Sequence, residues 1–219
     1  MRMEPEQRAT TAVMSGEKRT VQRRIHSLAA IGPLGLFLLF HLWQNWAALS
    51  SREAWLERTI AIKTLVGLEL VFVFCLSLAL HATLGWGKGD PAGAIGPGTA
   101  GLQRLQRLTG VAVLLFLCLH LYQVWFYAYG DQMLCNGPYD SLRIALGSPL
   151  QIALYAAGVS VVYFHFAHGL SRAAVFWGVV SGERQLRAAR YLAGVFGVIL
   201  WALTLHVLGR FATGQGLFG

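Results

Sequence analysis

The chain has 219 residues, of which 55% are hydrophobic and 13% charged, and its mean hydropathy is +0.52. These values exclude an ordinary soluble domain and point to a polytopic membrane protein. The formal net charge of +8 therefore belongs to loops and chain ends, with no soluble domain to present a groove-sized patch to nucleic acid.

Taken in chain order, residues 1–23 are polar and read as a cytoplasmic arm, because they lack the apolar core and cleavage site of a signal peptide. Five apolar stretches follow, at 28–49, 59–85, 108–128, 150–180 and 188–208. Each has the roughly 20 residues that cross about 30 Å of hydrocarbon at about 1.5 Å per residue. The expected fold is all-α, a five-helix membrane bundle over residues 24–210, with 211–219 as a short outer tail. Cys75 and Cys118 fall inside spans and Cys135 in a loop; the spacing suits neither a metal nor a disulfide, so all three read as packing residues.

Arg2, Arg8, Lys18, Arg19, Arg23, Arg24, Lys88, Arg104, Arg107, Arg172, Arg184, Arg187 and Arg190 make up most of the 18 Lys and Arg residues. They lie in the N-terminal arm and the loops after the second and fourth spans. By the positive-inside rule the N-terminus is cytoplasmic. The basic inner rim then suits a docked partner or anionic lipid head groups.

Four spans carry a histidine at membrane depth: His41, His81, His120 and His165. With this orientation His41 and His120 lie just outside the midplane, whereas His81 and His165 lie roughly 8 to 13 Å toward the inner face. An imidazole in hydrocarbon needs a partner, and two pairs at two depths are what two hexacoordinate haems require. In the fourth span His168 follows His165 by three positions, about 60° around the helix, so depth alone allows either residue to pair with His81. His26 returns to nearly the face of His41 one leaflet lower and is placed to touch a propionate of the inner haem. His206, near the end of the fifth span, reads as an interfacial or quinone-pocket residue.

These residues carry a family resemblance. The run from Arg24 through His26 to His41, the stretch from His81 to Gly85, Arg107-Leu108-Thr109-Gly110-Val111 followed by His120, and Phe164-His165-Phe166-Ala167-His168-Gly169 resemble the five-helix, di-haem cytochrome b anchor of succinate:quinone oxidoreductases and quinol:fumarate reductases. The likeness extends over residues 22–210. It implies that His41, His81, His120 and His165 are the axial ligands, with His168 standing where the family commonly has asparagine. It further implies two haem b groups, a membrane quinone, and a soluble iron–sulfur subunit that carries a flavoprotein. The di-haem form resembles menaquinone-linked enzymes, and the implied location is a bacterial inner membrane. The chain itself has no Rossmann glycine fingerprint and no cysteine set for a cluster, so flavin and iron–sulfur chemistry fall to partners.

Quinone chemistry needs a proton-carrying group beside the ring. Glu69 is the one carboxylate well inside a span, near the level of the outer haem, and is the candidate for quinone-linked proton transfer. Glu53 and Glu57 in the outer loop are alternatives. Some family members have a glutamate two residues before the ligand of the fourth helix; here that residue is Tyr163. Trp43, Trp46, Trp125, Tyr127 and Tyr129 gather toward outer helix ends as interface anchors. Histidine spacing argues against a cytochrome b of the bc type and against a membrane di-iron enzyme. A haem-free membrane transporter or scaffold is the alternative from a non-redox class.

Overall fold

The computed structural model describes residues 20–86, 99–129 and 131–214, and among these it is helical, with no strand. Six helices run in order: α1 (Thr20–Leu49), α2 (Arg52–Trp86), α3 (Thr99–Tyr129), α4 (Asp131–Ala145), α5 (Pro149–Phe176) and α6 (Glu183–Thr213). The helices α1, α3, α5 and α6 are each long and apolar enough to cross a membrane, and the segments Arg52–Thr64 and Glu69–Gly85 of α2 make a fifth when taken together as one span. The protein is an all-α integral membrane protein, as its composition requires.

Except for α5, which ends at Phe176 short of the apolar stretch that runs to 180, the helices outrun the apolar stretches. At 28 residues α5 is about 42 Å long and at 31 residues α3 and α6 are about 46 Å, against roughly 30 Å of hydrocarbon. Polar turns therefore continue past the apolar core, and α3 begins at Thr99 rather than near Leu108.

Local chemistry sets several of the boundaries. Pro33 lies inside α1, where it lacks an N–H and its ring would clash with the carbonyl four residues back. The chain absorbs it in a π-turn over Ala30–Gly35, and the Leu36 N–H reaches the carbonyls of both Gly32 and Pro33. The Ser51 hydroxyl accepts from the Ala54 N–H at 3.0 Å at the start of α2. The Ser148 hydroxyl caps α5 by accepting from Gln151, with Pro149 in the first turn. Gly214, at φ 77°, closes α6 and bonds back to the Arg210 carbonyl.

Sequence reading did not anticipate α4. It is short and polar, and two segments join across Gly137 (φ 75°, ψ 166°) and Pro138. That backbone conformation is open essentially to glycine alone. The buried Ser141 hydroxyl returns a bond to the Gly137 carbonyl at 2.8 Å.

The chain divides into two compact units, Met1–Leu39 with Val66–Gly89, and Phe40–Leu65 with Asp90–Gly219. In the first, α1 and α2 meet through Phe37 and Phe74, ring centres 4.4 Å apart, and small buried side chains, Ser27 and Ala29 on α1 and Ser77 on α2, face inward. In the second, α5 and α6 pack closely: a Cβ on Gly197 would stand 2.8 Å from the Ala167 Cβ. Tyr163 and Thr204 share a hydroxyl hydrogen bond of 2.6 Å, and the Trp201 indole donates to Ser160 at 2.9 Å. Between α3 and α5 the Phe116 ring fills the place that a Cβ on Gly158 would take. Close packing of small residues with hydrogen bonds is how membrane helices associate.

At one end of this unit the indole of Trp55 is buried against Tyr139 and Phe211. An exposed ion pair there joins Arg52 to Asp140 at 2.8 Å. Such a pair contributes about 1 kcal/mol at most. Leu108, Leu115 and Leu192 are about two-thirds exposed, as side chains facing lipid or a partner should be.

The cysteines depart from expectation. Cys75 and Cys118 are free and exposed on their helices and pack no core. Among the described residues alanine and leucine supply most of the buried apolar side chains instead. The side chain of Cys135 lies outside the described residues, as do those of Trp125, Tyr127 and Tyr129.

Candidate haem-binding histidines

His41 on α1 and His120 on α3 come together in the second unit, their ring centres 6.0 Å apart with planes at 74°. A metal–imidazole bond of about 2.0–2.1 Å, with each ring centre about 1 Å behind its nitrogen, puts two rings on opposite sides of one metal at a separation on the order of 6 Å. The observed separation of ring centres is of that size. Both rings are braced by neighbours. Asn45, one turn beyond His41, donates to the His41 carbonyl at 2.8 Å and lies 3.4 Å from its Nε2, while the Asn45 amide oxygen accepts from the buried Trp55 indole at 3.1 Å. The Tyr155 hydroxyl of α5 lies 3.3 Å from His120 Nδ1, and Phe116 stacks beside the same ring.

His81 is in the first unit, where it stacks face to face on His26 at 4.1 Å and 13°. That separation is too short for a metal between the two rings, so His26 and His81 do not form a ligand pair with each other. They instead exchange hydrogen bonds: His26 Nδ1–H donates to the His81 carbonyl at 3.0 Å, and His81 Nδ1–H to the His26 carbonyl at 3.3 Å. A carbonyl can only accept, so both rings carry the proton on Nδ1 and the lone pair on Nε2. That is the form in which an imidazole ligates iron through Nε2.

His165 is in the second unit, and a single turn of α3 surrounds it. Its Nδ1 lies 3.2 Å from the Thr109 hydroxyl, and its Nε2 lies 3.4 Å from the Gln106 amide nitrogen. The His165 Cε1 passes 3.1 Å from where a Cβ on Gly110 would stand, so the approach of ring to helix depends on that glycine. His168 shares Gln106 with His165 but not Thr109 or Gly110: its Nδ1 bonds the Gln106 amide oxygen at 2.7 Å and its ring stacks with Phe164.

Among the described residues no three His, Cys, Asp or Glu side chains converge as a protein-built metal cage would need. Pairs of histidine suit iron already held in a macrocycle, which supplies the other bonds. Glu69, Glu53 and Glu57 are exposed on α2, and His206 is half-buried on α6. Sequence reading missed Gln106, Thr109, Asn45 and Tyr155. Their signal was faint, since polar groups near the ends of spans ordinarily face water.

No protein-family model and no solved structure matches the chain. Over 205 residues the chain is 32% identical to the succinate dehydrogenase cytochrome b558 subunit of Bacillus subtilis (strain 168), an alignment that takes in 90% of this chain and 100% of the relative. Identity at that level over 90% of this chain and the whole of the relative, together with paired histidines on membrane-spanning helices, places this protein in the family of succinate dehydrogenase cytochrome b subunits.

Proposed function

We propose that the chain is the membrane anchor and haem b subunit of a succinate dehydrogenase or fumarate reductase complex, passing electrons between an iron–sulfur subunit and a membrane quinone, menaquinone by resemblance. The observation that carries this is the 6.0 Å separation of His41 and His120. In this reading His41 and His120 hold the outer haem iron, and His81 and His165 the inner one, on the depths their positions give. His26, stacked on His81, is the candidate contact for an inner propionate. Haem would supply one-electron carriage between the iron–sulfur subunit and a quinone that takes up two electrons. The residues of the chain hold the imidazoles as neutral ligands, exclude water with apolar helix faces, and bring a carboxylate, Glu69, to the quinone for proton transfer.

Partner docking falls on the cytoplasmic rim. Arg104 and Arg107 at the start of α3 and Arg184, Arg187 and Arg190 at the start of α6 are exposed. They share one end of the second unit, because Gln106 at the start of α3 bonds His165 and His168 near the end of α5 and the short 177–182 turn leads from α5 into α6. Such a basic rim attracts an acidic face of an iron–sulfur subunit or anionic lipid in a bacterial inner membrane. A flavoprotein on that subunit completes the complex. Membership of a cytochrome b family leaves the haem-free transporter reading without support.

The deciding experiment is a pyridine haemochrome assay on the purified membrane complex, set against protein mass. Two haem b per chain is the expected result; one or none sinks the reading.

A further inference from the structure

Where α3 faces α5, three side-chain pairs follow one another at intervals of about one turn. Toward the C-terminal end of α3, the amides of the buried Gln123 and of Gln151 meet at 3.0 Å. One turn back, the Tyr155 hydroxyl stands 3.3 Å from His120 Nδ1. A further turn back, the Phe116 ring fills the space beside Gly158. The middle pair also belongs to a cluster of rings. The Phe116 ring centre lies 6.0 Å from that of His120 and 5.6 Å from that of Tyr155, while His120 and Tyr155 are 5.7 Å apart and nearly edge to face. His41, the ring that faces His120, is in the same compact unit, so histidine pair and tyrosine have defined mutual positions.

We propose that Tyr155 is a positioning residue for His120, its phenol oxygen accepting the Nδ1–H of the imidazole whose Nε2 ligates iron, so that it holds the plane of the ring and strengthens it as a ligand. The proposal rests on the reading of His120 as a ligand of the outer haem. A neutral imidazole that ligates through Nε2 keeps its one proton on Nδ1, and a metal-bound histidine ordinarily donates that proton to an oxygen. Tyr155 supplies the oxygen at that nitrogen. A phenol has acceptor lone pairs besides its own proton, so it receives this bond with its hydrogen turned elsewhere. A partner that accepts the Nδ1–H makes the imidazole more basic, and a more basic ligand favours ferric over ferrous iron. Losing the hydroxyl should therefore raise the potential of that haem. The contacts one turn to either side, Gln123 with Gln151 and Phe116 with Gly158, hold α3 against α5 without it.

The experiment uses the whole complex in membranes, with haem content and haem potentials from an optical redox titration, and the low-spin EPR signal as a report on the angle between the ligand planes, which is 74° for His41 and His120. Tyr155→Phe keeps the ring and removes only the hydroxyl. It should keep two haems, raise one potential by about three- to tenfold in the ferrous-to-ferric ratio, roughly 28 to 59 mV for one electron, and alter the EPR signal of the same haem. Tyr155→Leu, which removes the ring as well, should raise that potential too. A shift in Tyr155→Leu with none in Tyr155→Phe would assign the effect to packing and overturn the role of the hydroxyl. So would a fall in potential in Tyr155→Phe, or potentials and EPR signal both unchanged. His120→Ala separates this failure from failure of the ligand reading. It should remove the haem whose potential Tyr155→Phe moves; removal of the other haem overturns the positioning role alone, and retention of both removes the ligand and the positioning role with it.

Discussion

At the scale of single residues, the proposed ligands differ in what neighbours hold them, and substitutions should reflect that. Substituting alanine for His41 or His120 should remove the outer haem and leave the inner one, because the iron loses one of two axial bonds; haem per chain would fall from two to one, read from the reduced-minus-oxidised spectrum. Glu69→Gln tests a different link. Glu69 is exposed on α2, so its replacement should not disturb packing, and haem content should stay at the wild-type level. Quinone-linked turnover should fall by roughly 10²-fold or more, the usual scale of a lost general acid–base group. Succinate oxidation with an artificial acceptor at the soluble subunits should be unchanged. Equal loss of both activities would assign Glu69 to structure. The histidines themselves were legible because an imidazole in an apolar span stands out. Their supports were not. Gln106 precedes the apolar stretch that begins at Leu108, so hydropathy places it in a loop, whereas α3 starts at Thr99 and carries it to His165.

Among elements, α5 is the centre of the second unit, meeting α3 through Phe116 and Gly158 and α6 through Gly197, Ala167 and Tyr163. Gly158→Ala would force the Phe116 ring out of the space it fills, and overpacking of this kind costs about 1 to 3 kcal/mol. The haem absorbance of the detergent-purified complex should therefore be lost at lower temperature. Phe116 also stacks beside His120, so the outer haem should be released first. Tyr163→Phe, which removes one interhelical hydrogen bond, should lower stability by only about 0.6 kcal/mol, the average for such bonds in a membrane. Spans and their number could be read from hydropathy, but the interiors of the elements could not. The π-turn at Ala30–Gly35 answers to a proline that hydropathy counts as neutral, and α4 is polar with a glycine and a proline at its kink.

For the molecule as a whole, charge sets topology. Cysteine-labelling or protease access in oriented vesicles should find the start of α3 and the start of α6 on the cytoplasmic side, with Arg52 and Arg58 on the other. If Arg104, Arg107, Arg184, Arg187 and Arg190 dock an acidic partner, dissociation of the soluble subunits should rise with ionic strength, and reversing several of these charges should strip the subunits while leaving haem in place. The exposed leucines of α3 and α6 are the surface left to lipid or to a partner within the membrane.

The fit of Phe116 against Gly158 also couples the ways in which this sequence can change over generations. A methyl group at position 158 collides with the ring, so alanine sits there without strain only beside a smaller residue at 116. Either change alone is costly: filling position 158 overpacks the contact by about 1 to 3 kcal/mol, and cutting Phe116 back to alanine leaves a void worth about 3 to 5 kcal/mol. The two sites should therefore change together, and descendants should carry bulk at one of them but not at both.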